Sequence, residues 1–276
     1  MRRRAALAML GAVVSAPFAA SAFPRTLAWY AAQVDGAGHE GSNEDEVLQA
    51  ASIIKLLITL ALIAQAHAGE FDLRGGVVVE AVDRVGGSDR FGQAVAHRSY
   101  PADELIEAML SVSDNTAANA LLRVAGMTRC NDIAYLHHLE RTRIRRRFYD
   151  WDAQRRGLEN VTTARESAQL LLLVASAAKE RGAGAAVARL AMSALLAQED
   201  RETIPAALPN RSSIANKTGE LPGVRNDVGI VSYGHRGSYV ISVMDHYGDD
   251  ARSTAIEAMK HIVKTIDRKF GGRAPS

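Results

Sequence analysis

The segment from Ala50 to Ala66 is apolar on every side, yet it carries a lysine near its front. Ser52-Ile53-Ile54-Lys55 leads into Leu56, Leu57, Ile58, Leu60, Leu62 and Ile63. Apolar residues all round mark a helix enclosed by other elements, here over about residues 52–67. A serine and a lysine three apart share one helix face. Burial lowers a lysine's pKa, so Lys55 can hold a neutral amine that accepts a proton. Ser52 is then a nucleophile with a base beside it. The plainer reading is a helix cap followed by a lysine that reaches out to solvent.

The first residues read as an export signal. Arg2-Arg3-Arg4 is a basic start, Ala5 to Ala20 an apolar run too short for a comfortable span, and Ala20-Ser21-Ala22 a small-residue cleavage site. A mature chain starting at Phe23, periplasmic or secreted, is expected, by the general route or by a twin-arginine route. An uncleaved N-terminal anchor is the alternative. Without the leader's three arginines the chain has 30 basic and 31 acidic residues, so no nucleic-acid footprint remains. Lys55 interrupts the best remaining candidate for a membrane span, so no stable insertion is expected after cleavage. Cys130 is the only cysteine, which excludes an intramolecular disulfide. It reads as a packed small group, since nothing nearby in sequence supplies a dedicated base.

Leu27 to Val34 reads as a strand before an Asp35-Gly36 turn, with Glu46 to Ala50 as a short returning strand. Glycines 75, 76, 86 and 87 mark a loop-rich passage. Helices are expected over Pro101–Leu110, from an Asp114-Asn115 cap through Ala117–Val124, over Leu170–Ala178 and over Ala185–Gln198. Thr163 and Glu166 fit a capping box. Ser213–Lys217, Val228–Tyr233 and Ser238–Met244 read as strands, and Ala251–Phe270 as a closing helix. Strands at both chain ends imply an α/β (α+β) fold whose sheet is built by residues 23–50 and 207–276, with a helical part, 51–206, inserted.

Two further triplets follow the first in order: Ser113-Asp114-Asn115 and Lys217-Thr218-Gly219. Each alone is weak, but S-x-x-K, S-D-N and K-T-G together resemble the class A β-lactamase family. The resemblance covers most of residues 25–270. It implies an antiparallel sheet flanked by helices, a mostly helical second domain and an active site between them. It also implies a serine hydrolase that opens β-lactams through an acyl-enzyme on Ser52. Lys55 would serve as base or proton relay, and Ser113 would protonate the leaving nitrogen. Asn115 would hold Lys55 and a substrate amide. Lys217, Thr218 and Gly219 would border the substrate carboxylate, and the N–H groups of Ser52 and Glu220 would form an oxyanion hole. Arg225 is a candidate second carboxylate anchor, or else a surface arginine of a turn.

The E-x-x-L-N motif that this family uses for deacylation is missing. At the corresponding distance the chain reads Phe148-Tyr149-Asp150-Trp151-Asp152. Asp150 is the candidate replacement and Asp152 the second; the alternative is that both pair with nearby arginines as scaffold. The arginines from 141 to 147 read as a solvated loop face, or as an attraction for anionic polymers.

A D-alanyl-D-alanine carboxypeptidase or small-ester hydrolase is the rival enzyme, and a non-catalytic β-lactam sensor the rival of another class. The partner expected is a small β-lactam or a cell-wall peptide, met by a monomer. His137, His138 and Glu140 lack metal-ligand spacing, so neither metal nor cofactor is expected.

Overall fold

The computed structural model describes residues 25–36, 38–208, 213–248 and 251–271. The expected leader over 1–22, with its cleavage site and export route, lies outside the described residues. The chain begins with β1 (Thr26–Gln33), β2 (His39–Ser42) and the short β3 (Leu48–Gln49), and a 3-10 turn over Ala51–Ile54 runs into α1 (Lys55–His67). Next come β4 (Gly76–Val79), β5 (Arg98–Pro101), α2 (Ala102–Ser111), α3 (Asn115–Ala125) and α4 (Met127–Leu136). A long irregular loop carries α5 (Trp151–Arg155) and ends at β6 (Val161–Thr162). Helices α6 (Ala164–Ala177), α7 (Ala183–Leu196) and α8 (Ile204–Ala207) lead to β7 (Ser213–Leu221), β8 (Val224–Ser232), β9 (Ser238–His246) and α9 (Arg252–Phe270).

Five strands form one antiparallel sheet in the order β2-β1-β9-β8-β7. The two chain ends meet inside it, because β1 pairs with β9 from Thr26↔His246 to Gln33↔Tyr239. Successive side chains of a strand point to opposite faces. Accordingly Tyr239, Ile241 and Val243 of β9 join Met259, Val263 and Ile266 of α9 on one face. Val240 and Met244 join the core of the helices on the other. Burial on both faces explains why this strand reads as a near-continuous apolar run.

Helix α1 is the centre of the other layer. Eleven of its thirteen residues are buried, and it touches α3, α4, α6 and α7. Alanines along α7 let that helix lie close, and at its start even a methyl is too much. A Cβ on Gly184 would fall 2.8 Å from the Ile63 carbonyl oxygen. Burying a leucine of α1 contributes about 1.5–3 kcal/mol, so α1 is anchored far more firmly than its own helix propensity requires.

Several local expectations are corrected. The strand returning from β1 is β2, not Glu46–Ala50; Leu48 and Gln49 pair instead with Val161 and Thr162. β2 reads His-Glu-Gly-Ser because it is an exposed edge, with no apolar alternation to betray it. The glycine-rich passage contains β4, which pairs with β5. Helix α4 gave no periodic signal, since only Cys130 and Ala134 are buried along it. The 3-10 turn before α1 packs on β7 and β8, so the apolar segment reaches the sheet at Ser52.

Candidate active site

Ser113 stands between two amines. Its Oγ accepts from Lys55 Nζ at 3.1 Å and from Lys217 Nζ at 3.0 Å. Lys55 also donates to the Ser113 carbonyl at 2.6 Å and to Asn115 Oδ1 at 2.8 Å. Lys217 also donates to the Thr218 carbonyl at 2.8 Å. Both lysines are fully buried. Ser52, Ser113, Asn115, Thr218, Gly219 and Glu220 together line one crevice of about 360 Å3, closed on its other sides by Gly87, Asp89, Val112 and residues 198–200. Residues 52, 55, 113 and 217, distant in sequence, are thus brought to one place.

Local backbone geometry aims these groups. Ala51 and Ser113 have φ of 47° and 60°, in the left-handed region that costs a non-glycine residue of order 1–3 kcal/mol. Such strain persists because its surroundings fix it. Asp114, fully buried, caps α3 through Ala117 N–H at 2.8 Å and accepts from Arg90 and Phe91 N–H at 3.0 and 2.9 Å. That clamps the corner between α2 and α3 on which Ser113 and Asn115 ride. Asn115 in turn donates to the Gly87 carbonyl at 2.7 Å. On the opposite wall a Cβ on Gly219 would lie 3.0 Å from the Ser52 nitrogen, so the glycine of K-T-G lets β7 close on the Ser52 turn.

The electrostatics follow from burial. Desolvation, with Lys217 adding repulsion, holds the Lys55 pKa well below the ordinary lysine range against the pull of Asp114. Burial likewise lowers Lys217 to about 7, with Asp200 and Asp227 opposing the shift. Asp227, behind Lys217, is itself pushed up to about 6 by burial although Asn216 and the Ile204 N–H donate to it at 2.9 Å. The crevice thus holds a hydroxyl between two amines that lose protons far more readily than free lysines.

The profile of the beta-lactamase enzyme family matches residues 12–270. The chain belongs to that family. Among solved structures it is similar to PBP-A, at 23% identity over 91% of this chain and 92% of that one, with a TM-score of 0.79. A leucine-to-glutamate mutant of PBP-A, solved as an acyl-enzyme complex with penicillin G, matches at 22% identity, 89% and 90% coverage and a TM-score of 0.79. The beta-lactamase from Sphaerobacter thermophilus matches at 24% identity, 93% and 96% coverage and a TM-score of 0.76. No curated protein sequence matches the chain.

Within this β-lactamase frame three of the expected site residues stand elsewhere. Arg225 is neither a free anchor nor a surface arginine. It is fully buried, donating to Glu220 Oε2 at 2.6 Å, to Asp200 Oδ1 at 2.8 Å and to Thr203 Oγ1 at 3.3 Å. The register puts Glu220 directly opposite it on the neighbouring strand. Asp150 is the N-cap of α5 and accepts from Ala153 N–H at 2.9 Å, and it does not line the crevice. Asp152 pairs with Arg155 at the surface.

The side chain beside Lys55 on this flank is Phe148, with its ring centre 4.7 Å from Nζ. Asn119 holds Phe148 there by both of its backbone polar groups, at 2.9 and 3.2 Å. Glu166 caps only in part: Thr163 accepts from its N–H, but its carboxylate takes the Arg141 N–H at 3.0 Å and the Thr142 hydroxyl at 2.6 Å. Much of the arginine run is scaffold, with Arg146 paired to Glu159 at 2.7 Å and the N–H groups of Arg145 and Arg146 bound to Asn160. Cys130 is buried, its thiol pushed up to about 12 by desolvation.

Two features of the site escape the motifs. Phe148 was visible only as a residue near Asp150, and Asp200 carried no mark in the sequence. Neither belongs to a triplet, and each acquires its place from a contact distant in sequence. A second hollow, of about 470 Å3 between Arg90, Phe91, Tyr100 and Glu104, contains none of the motif residues.

Proposed function

We propose that the protein is a serine hydrolase of the β-lactamase kind, which opens its substrate through an acyl-enzyme on Ser52. The observation that carries the reading is the Ser113 hydroxyl held at 3.1 and 3.0 Å between the amines of Lys55 and Lys217, in the crevice that Ser52 lines. Lys55, whose pKa burial and Lys217 hold well below the ordinary lysine range, takes the proton of Ser52 Oγ. Oγ bonds to the acyl carbon while the N–H groups of Ser52 and Glu220 hold the developing oxyanion, each such donor contributing about 2.7–4 kcal/mol. As the carbon–nitrogen bond breaks, Ser113 gives its proton to the departing nitrogen and is resupplied by the neighbouring amines.

Acylation is well served by this constellation and deacylation is not. Asp150 is engaged in capping, and a phenyl ring occupies the flank of Lys55. A β-lactam therefore leaves a slowly released adduct on Ser52. That observation favours a second reading of the same chemistry, in which the natural substrate is a cell-wall peptide or an ester. The PBP-A mutant held as an acyl-enzyme with penicillin G gives a precedent for the adduct in a similar fold.

The test is intact mass of the protein mixed with a chromogenic cephalosporin, with colour followed in parallel. The expected result is one acyl group per chain, slow colour release and no adduct on Ser52→Ala. A chain never acylated by penicillins, cephalosporins, D-alanyl peptides or esters overturns the proposal.

A further inference from the structure

Two cationic groups and a hydroxyl gathered round one point make an anion-binding arrangement. Arg225 and Lys217, buried behind the wall of this crevice, and Thr218, which lines it, supply such groups, and the anion beside them belongs to the protein. Arg225 Nη2 donates to Asp200 Oδ1 at 2.8 Å, Thr218 lines the crevice with Asp200, and the charge of Asp200 supports the protonated form of Lys217.

Asp200 is held there by its own segment. Its N–H donates to Gln198 Oε1 at 3.0 Å, Gln198 is tied to the Leu110 carbonyl at 2.8 Å, and the Glu199 N–H to the Ser111 carbonyl at 3.0 Å. Asp200 lines the crevice beside Thr218 and keeps 32% of its side chain exposed, so its carboxylate meets whatever enters. Asp89, Glu199 and Glu220 line the same crevice. A free carboxylate brought to this point faces a like charge already seated and an acidic surround.

We propose that Asp200 is a built-in carboxylate filling the anion subsite, and that the site takes acyl donors uncharged at that place, of the ester or carboxamide class. The inference rests on the reading of Ser52 as the acylated residue. In the step concerned, Ser52 Oγ bonds to the acyl carbon and the carbon–oxygen or carbon–nitrogen bond of the donor breaks. The Ser52 proton leaves by way of Lys55 and Ser113 with the departing alcohol or amine, and no other reactant is needed.

The experiment compares acylation by penicillin G and by its methyl ester, followed by intact mass, in the wild type, Asp200→Asn and Asp200→Ser. Arg225 keeps Glu220 as partner in both variants, and circular dichroism checks their fold. The wild type is expected to react with the ester roughly tenfold faster than with the free acid. Asp200→Ser, which vacates the subsite, is expected to raise the ratio of the free-acid rate to the ester rate roughly a hundredfold over the wild type. Asp200→Asn, which keeps the shape without the charge, falls between. A wild type that prefers the free acid, or an Asp200→Ser variant slowed equally toward both compounds, overturns the role of Asp200 while leaving Ser52 acylated. Absence of label from both compounds in all three proteins rejects the acyl-enzyme itself and this inference with it.

Discussion

The two flanks of Lys55 are built on different principles. On one side Ser113, Asn115 and Lys217 sit on a corner and a strand that the core fixes; Lys55 donates to Ser113 and Asn115, and Lys217 joins them through the Ser113 hydroxyl. On the other side runs the loop from 137 to 160, whose acids serve the loop. Asp150 caps α5, Asp152 pairs with Arg155, and Glu159 pairs with Arg146. What this loop presents to Lys55 is the ring of Phe148. A buried amine faced by acceptors is a relay for protons, whereas one faced by a ring has no partner there to activate water. On the proposed function, this contrast sets the two halves of an acyl-transfer cycle apart.

The largest effect expected is at Ser52. Ser52→Ala should abolish covalent labelling outright, read by intact mass. Ser113→Ala, which removes the hydroxyl between the amines, should slow acylation on the order of a hundredfold or more while the fold is retained. The contrast is broken from the other side by Phe148→Glu. That variant places a carboxylate beside Lys55, and release of the acyl group should quicken by roughly tenfold or more, read as product formed per enzyme. No change in release would mean that the ring is not what limits the second half-reaction.

The pH profile gives a smaller effect. Lys217 is charged below about 7 and neutral above it, because burial lowers its pKa to that value. If its charge orients Ser113 and the incoming group, the acylation rate falls as pH rises through about 7. Lys217→Arg should remove that falling limb, since a guanidinium stays protonated. The least effect belongs to Asp150. Asp150→Ala should leave acylation and release unaltered and cost about 1 kcal/mol through the lost cap, seen as a drop in Tm of a few degrees.

The hydrogen-bonded cluster of Lys55, Ser113 and Lys217 was legible because each of its members carries a sequence mark. A lysine in an apolar helix, a serine before an Asp-Asn cap and a lysine at the start of a Thr-Gly strand are each unusual for their setting. The strands β1, β7, β8 and β9 and the helices α1, α2, α3, α6, α7 and α9 were legible from apolar period and turn residues. The edge strand β2 and the strand β5 were not, since an exposed strand has no apolar alternation to display, and β4 was hidden because Gly-Val-Val-Val has no polar alternation although Val77 and Val79 are buried. Arg225 misled for another reason: a strand sequence does not tell which acids lie across from its arginine. Only the register, with Glu220 opposite, and the return of residues 198–200 under the sheet decide that.

The amino-acid order alone determined which residues are chemically able to act, because burial of a lysine or the cap after a serine is set within a few positions. The tertiary structure alone decided what those residues face. Pairing of polar and charged groups depends on distance in space, so the partners of Arg225 and Lys55 were settled only when sheet and corner came together.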